Sequence, residues 1–351
     1  MLFSELPRKP SCVVDATRFG LSADLPTCQG FVTNDVPEDL RAFVPQVDSN
    51  YVFSENAYRT VAAWLEHGAD CPLFVSGPAG SGKTSLAMQV AARLSLPVFD
   101  FTARLRMDVR ELIGRWVMES DGMTFRDGPA VRAWRSGGIF LVNEFSAAPP
   151  EAWVSANSLL ERLPIFIPET GELVEPHPMT RIIATDNTRG LSNDQDAGYL
   201  GRSLQDRSVM DRTWNLRLEG LSWEEEKRLL LATVPVNFPR IPDAVACRAA
   251  ELWLEIAADA EKASGETELG FESAMPKIGH RVLQRLLTLT FVQLSGGFPP
   301  VRDEASAVRA VETIARIAFA ETLDDIARGA FLQLAVQRWG SRMLDLTKEV
   351  G

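Results

Sequence analysis

Between about residue 48 and residue 220 the chain alternates short, unbroken apolar runs with stretches whose apolar positions recur at helical spacing. The apolar runs are Leu73 to Ser76, Val98 to Phe101, Ile139 to Val142, Arg181 to Thr185 and Trp214 to Leu218, each bounded by Gly, Pro or polar residues. Unbroken runs suit strands covered on both faces, so the pattern predicts an α/β fold around a parallel sheet of five strands. Two stretches interrupt the alternation. Val117 to Phe125 turns at Ser120-Asp121-Gly122 and Ile165 to Val174 turns at Glu169-Thr170-Gly171, each flanked by β-type residues, which predicts two hairpins.

Beyond Leu221 the strand-like runs stop. Ser222-Trp223-Glu224-Glu225 has the form of a capping box, with Ser222 as N-cap and Glu225 three positions on. Helical periods follow over Asp243 to Lys262, Lys277 to Leu294, Glu304 to Ala320 and Leu323 to Trp339, broken at Ser264-Gly265-Glu266 and from Gly296 to Pro300. The expected organisation is an N-terminal extension (1–47), an α/β nucleotide-binding domain (48–220) and an all-helical domain (221–351).

Composition narrows the function classes. The chain has 351 residues, 46% hydrophobic and 24% charged, as expected of a globular protein with real cores. No apolar stretch reaches the roughly 18 residues of a membrane span, and Met1 to Pro10 has no apolar signal segment, so the expectation is a cytoplasmic protein without a membrane partner. Cys12, Cys28, Cys71 and Cys247 are scattered, as are His67, His177 and His280, so neither a disulfide framework nor a zinc site is expected. A net charge of −11 counts against nucleic acid as a partner, because affinity for that backbone comes from Lys and Arg.

The candidate chemistry starts at Gly77-Pro78-Ala79-Gly80-Ser81-Gly82-Lys83-Thr84, which reads G-x-x-x-x-G-K-T between a strand and a helix opening at Ser85. In such a loop backbone N–H groups cradle phosphates, Lys83 reaches the terminal phosphate oxygens and the Thr84 hydroxyl ligates Mg²⁺. ATP and Mg²⁺ are therefore the expected ligands. The run Ile139 to Val142 ends in Asn143-Glu144, where a strand of this kind usually ends in Asp-Glu. Glu144 retains the carboxylate suited to polarise water, whereas Asn143 can reach the metal only through a bound water, without the negative charge that hard cations favour. Asn187 follows the next strand and could touch the terminal phosphate or the attacking water. Arg212 precedes the last strand and suits developing phosphoryl charge.

Taken in order, these motifs resemble an AAA+ ATPase. The two hairpins resemble the MoxR branch, and several segments are similar to the CobS-type ATPase subunit of aerobic cobaltochelatase: FGLSADLP, VPQVDSNYVFSE, QVAARLSLP, TFRDG, EPHP, and ATDNTRGLSNDQDAGYLG running to MDRTW. The resemblance covers about Phe19 to Leu218. It implies a P-loop AAA+ domain followed by a helical lid. Gly77, Gly82, Lys83 and Thr84 would form the nucleotide cradle, Glu144 would be the catalytic base, Asn187 sensor 1, and Arg212, or alternatively Arg202 or Arg207, the finger reaching a neighbouring subunit. It also implies a ring homo-oligomer, usually a hexamer, a von Willebrand A-type partner and a protein client such as a metal chelatase. The lid would offer Lys277 or Arg281 as the sensor 2 cation. Three functions follow: a remodelling motor, an ATP-held scaffold with negligible hydrolysis because of Asn143, and a nucleic-acid-directed motor.

Overall fold

The computed structural model describes residues 4–68, 70–119, 122–188, 205–233, 237–265, 278–296, 303–323 and 325–339. The chain divides into two compact units, Met1–Gly220 and Leu221–Gly351.

The first unit opens with a short antiparallel ribbon, β1 (Cys12–Val14) and β2 (Cys28–Gly30). Leu6, Val14, Phe19, Phe31 and Leu40 of this segment are buried in the same core as the central sheet. Helix α1 (Glu55–His67) is capped by Ser54, whose side chain accepts from the Ala57 N–H, and it buries Tyr58, Val61, Ala62 and Trp64. That spacing is the apolar face of a helix. Next come β3 (Leu73–Ser76), α2 (Lys83–Leu94) and β4 (Val98–Thr102).

A hairpin of β5 (Gly114–Glu119) and β6 (Gly122–Asp127) leads into α3 (Pro129–Ser136) and β7 (Gly138–Asn143). A second hairpin, β8 (Ile165–Ile167) and β9 (Glu172–Val174), precedes β10 (Thr180–Asp186) and β11 (Trp214–Arg217). Both hairpins form where the sequence predicts them. Arg135 of α3 joins the base of the first hairpin to the turn end of the second: its Nε donates to Asp127 at 2.9 Å and its Nη2 to Glu172 at 2.6 Å.

The main sheet has five strands in the order β11-β3-β10-β7-β4, and every neighbouring pair is parallel. The sequence expectation of an α/β parallel sheet therefore holds, with strand ends within about one residue of those read from the pattern. Strand β7 sits inside the sheet, and Ile139, Phe140, Leu141 and Val142 are all fully buried. Each such side chain contributes roughly 1.5–3 kcal/mol by leaving water, which explains why the run carries no polar residue until Asn143. Polarity returns where the strand emerges at the carboxyl edge, and ligands bind at that edge in open α/β sheets.

In the second unit every described element is helical. The unit comprises α4 (Trp223–Thr233), α5 (Asp243–Gly265), α6 (His280–Gly296), α7 (Glu304–Ile314) and α8 (Asp325–Trp339). The predicted capping box forms: the Ser222 N–H donates to Glu225 Oε2 at 2.9 Å, and the Glu225 N–H reaches Ser222 Oγ at 3.4 Å. Trp253, Leu286, Leu287, Phe291, Val311 and Phe331 centre a core of its own. The helix expected over Glu304 to Ala320 differs in detail. It ends at Ile314 and continues as a wider π turn over Ala315–Phe319, where Phe319 packs edge-on against Phe331 at 4.8 Å. No described helix is long and apolar enough to cross a membrane.

Candidate nucleotide site at the carboxyl edge of the sheet

The loop after β3 has the backbone that its glycines permit. Gly77, Gly80 and Gly82 have φ of 152°, 82° and 84°. At Gly77 a Cβ would lie 2.3 Å from the Leu218 carbonyl oxygen, so no larger residue fits there. Gly82 caps α2 in the left-handed conformation, leaving the first N–H groups of that helix unpaired within it. Lys83 is buried, and its ammonium donates to the carbonyls of Gly77 at 2.9 Å and Pro78 at 2.8 Å. The Ser81 hydroxyl is buried with no hydrogen-bond partner, whereas Ala79, Gly80 and Ser85 are exposed. An orphaned hydroxyl, a helix N-terminus and an ammonium resting on loop carbonyls together fit a polyphosphate.

The ends of β7 and β10 lie next to this loop. Thr84 Oγ1 donates to Asn143 Oδ1 at 2.9 Å, and Thr185 Oγ1 donates to the same oxygen at 3.1 Å. The Asn143 amide oxygen thus joins the P-loop helix to two neighbouring strands, because β10 lies between β3 and β7. Glu144 takes a left-handed backbone with φ of 58°, an uncommon conformation for a non-glycine residue. Its Oε2 accepts from Asn187 Nδ2 at 3.3 Å. Thr84, Asn143, Glu144 and Asn187 are therefore brought together at one edge.

Residues 72–207 match the AAA domain of the dynein-related subfamily. The curated relatives include the denitrification regulatory protein NirQ of Pseudomonas aeruginosa, 32% identical over 48% of this chain and 61% of NirQ. They also include the aerobic cobaltochelatase subunit CobS of a Sinorhizobium species, 29% identical over 55% of this chain and 59% of CobS. Over this stretch the chain is similar to AAA+ proteins of the NirQ and CobS type. The matches span less than two thirds of either relative's length. A solved structure of a mutant RuvB from Thermotoga maritima shares the fold, with a TM-score of 0.51 and 15% identity over 84% of this chain and 80% of that one.

Sequence reasoning missed one residue that organises this cluster. Asp186, 1% exposed, ends β10. Its Oδ1 accepts from the Thr188 N–H at 2.9 Å and the Thr188 hydroxyl at 3.2 Å, and its Oδ2 accepts from the Ser146 N–H. The carboxylate thereby pins the backbone just after Glu144 to the backbone around Asn187. Its position between Thr185 and Asn187 was the available signal, but a single acid at a strand end reads as one more edge polar group.

Arg212 lies elsewhere in the first unit. In β11, Trp214 pairs with Leu73 and Arg217 with Ser76, while the P-loop leaves the far end of β3 at Gly77. Arg212 precedes β11 and so sits at the amino edge. The four steps along the strand from Leu73 to Gly77 alone separate the two levels by about 13 Å. Arg212 forms an ion pair with Glu161 and donates to the Ser208 carbonyl. Arg207 is almost fully exposed and lies 3.8 Å from Asp211. Arg202 and Lys277 fall outside the described residues, and Arg281 follows the first residue of α6.

Proposed function

We propose that this chain binds Mg²⁺-ATP, hydrolyses it in a ring of identical copies and uses the turnover to remodel a protein partner. The observation that carries the reading is the Glu144–Asn187 hydrogen bond at the strand ends beside the P-loop. Lys83 exchanges its loop carbonyls for phosphate oxygens when nucleotide enters, and the N–H groups at the start of α2 hold the remaining oxygens. Thr84 would hold Mg²⁺ directly and Asn143 through a water, and the ion would supply neutralisation of phosphate charge.

Glu144 takes the proton of the attacking water as its oxygen bonds to the γ-phosphorus and the bond to the β–γ bridging oxygen breaks. Asn187 holds the carboxylate in place. Arg212 is too far from the phosphates of its own chain, which supports a role for it in a neighbouring copy's site. Likeness to CobS, a cobaltochelatase subunit, favours a chelatase-type client, and a von Willebrand A-type partner is what the motif resemblance adds to this reading.

Steady-state hydrolysis of Mg²⁺-ATP by the whole chain, with Lys83→Ala as blank, tests this. Glu144→Gln should keep nucleotide binding and lower kcat by about a hundredfold or more, the usual worth of a general base. Turnover no higher than the blank, with tight ATP binding, would instead favour a nucleotide-held scaffold. Asn143 is the observation behind that second reading, because its neutral oxygen already serves two threonine hydroxyls.

A further inference from the structure

The amino edge of the sheet holds a second constellation that no motif announces. Glu161 closes the short helix Asn157–Leu160, with its N–H donating to the Asn157 carbonyl at 2.9 Å. The next residue, Arg162, has φ of 53°, a left-handed backbone that costs a non-glycine residue on the order of 1 kcal/mol or more. Arg162 is turned inward, and its Nη2 donates to the carbonyls of His177 at 2.9 Å and Pro178 at 3.2 Å. That anchoring holds the left-handed corner, and the corner sends Glu161 the other way, onto Arg212.

Glu161 engages Arg212 at Nε, while Nη1 of the same guanidinium donates to the Ser208 carbonyl. Its Nη2 makes no hydrogen bond among the described residues. The pair is half exposed, at 40% for Arg212 and 38% for Glu161. Nε and Nη1 are therefore held by the protein on opposite flanks of the guanidinium, and Nη2 at its end is left for an oxyanion. Such an arrangement suits bidentate or end-on recognition of phosphoryl oxygens.

We infer that Glu161 is the positioning residue of Arg212, aligning its guanidinium for the γ-phosphoryl group of a nucleotide bound by a neighbouring copy. The inference rests on the proposed hydrolysis and adds a residue to it. A surface ion pair of this exposure contributes little to stability, so its removal should be visible in catalysis and not in folding. Misplacing a catalytic group by about 1 Å can cost on the order of a hundredfold in rate.

The test separates the two chains that build one site. Lys83→Ala copies lack nucleotide but carry Arg212; Arg212→Ala copies bind nucleotide but lack the arginine. Mixing the two should restore Mg²⁺-ATP hydrolysis that neither shows alone. Adding Glu161→Ala to the Lys83→Ala copies should lower the restored kcat about tenfold or more, with KM for ATP unchanged. Glu161→Gln in the same copies should rescue most of it, because the amide oxygen still accepts from Nε. Restored turnover that Glu161→Ala leaves unchanged or raises overturns the role of Glu161 alone. No restoration on mixing, while the unsubstituted chain turns over, overturns trans action and this inference with it. No turnover by the unsubstituted chain overturns the reading underneath.

Discussion

The two edges of the central sheet are built on different principles. At the carboxyl edge, Gly77 to Thr84, Asn143, Glu144 and Asn187 come from the ends of three neighbouring strands, and each follows directly on an apolar run. The chemistry there is local: a glycine loop, a lysine held on its own carbonyls, and amides and hydroxyls in contact. At the amino edge, Arg181 comes from the start of β10, while Glu161, Arg162 and Arg212 come from the end of a short helix and from loops up to about fifty positions away. Burial, together with nearby Arg162, pushes the Arg181 guanidinium down to about 10, and the Nε atoms of Arg162 and Arg181 are buried without partners. A parallel sheet thus places the glycine-loop edge and a cation-rich edge on opposite sides of the same unit. In a closed assembly each could serve a different copy.

The strongest way to break this contrast is to compare Lys83→Ala with Arg212→Ala. The first should abolish nucleotide binding by the isolated chain, and the second should leave it intact, as equilibrium titration with a fluorescent ATP analogue would show. Equal loss in both would mean that the edges are not functionally distinct.

Next in size is Asp186→Ala, which strands the Ser146 and Thr188 donors in a buried site. It should lower stability by about 3 kcal/mol and slow turnover with it, read by urea unfolding and steady-state kinetics. A fully stable Asp186→Ala variant would show that the backbone around Glu144 and Asn187 needs no such pin.

Asn143→Asp sharpens the comparison from within the carboxyl edge. Restoring the charge should lower the Mg²⁺ concentration needed for half-maximal turnover about tenfold, since carboxylates suit this hard cation better than amides. A higher requirement would show that the Thr84 and Thr185 hydroxyls are arranged for the amide.

The smallest effect concerns Arg135, which joins the two hairpins. Hydrogen bonding to Arg135 holds the Glu172 carboxyl below its ordinary range. A carboxyl with a folded pKa below its unfolded one stabilises the fold above the unfolded value, and that contribution is lost as pH falls through the folded value. With Glu172 45% exposed, the term is at most about 1 kcal/mol. The gap in urea midpoint between the unsubstituted chain and Glu172→Gln should be present at neutral pH and close in acid.

The sequence by itself determined the parallel sheet, both hairpins, the switch to helices and, at the carboxyl edge, the glycine loop, Asn143, Glu144 and Asn187. Each of these is written in a contiguous stretch: buried strands demand unbroken apolar runs, a phosphate loop demands glycines at fixed spacing, and a capping box needs only four residues. Only the tertiary structure decided that Asn143 shares one oxygen between Thr84 and Thr185, that Asp186 locks the backbone beside Glu144, and that Glu161 meets Arg212. Those contacts join residues about 40 to 60 positions apart through strand order and register. One-dimensional spacing carries no record of either, because hydrogen bonds across a sheet depend on which strands become neighbours and not on how far apart they lie in the chain.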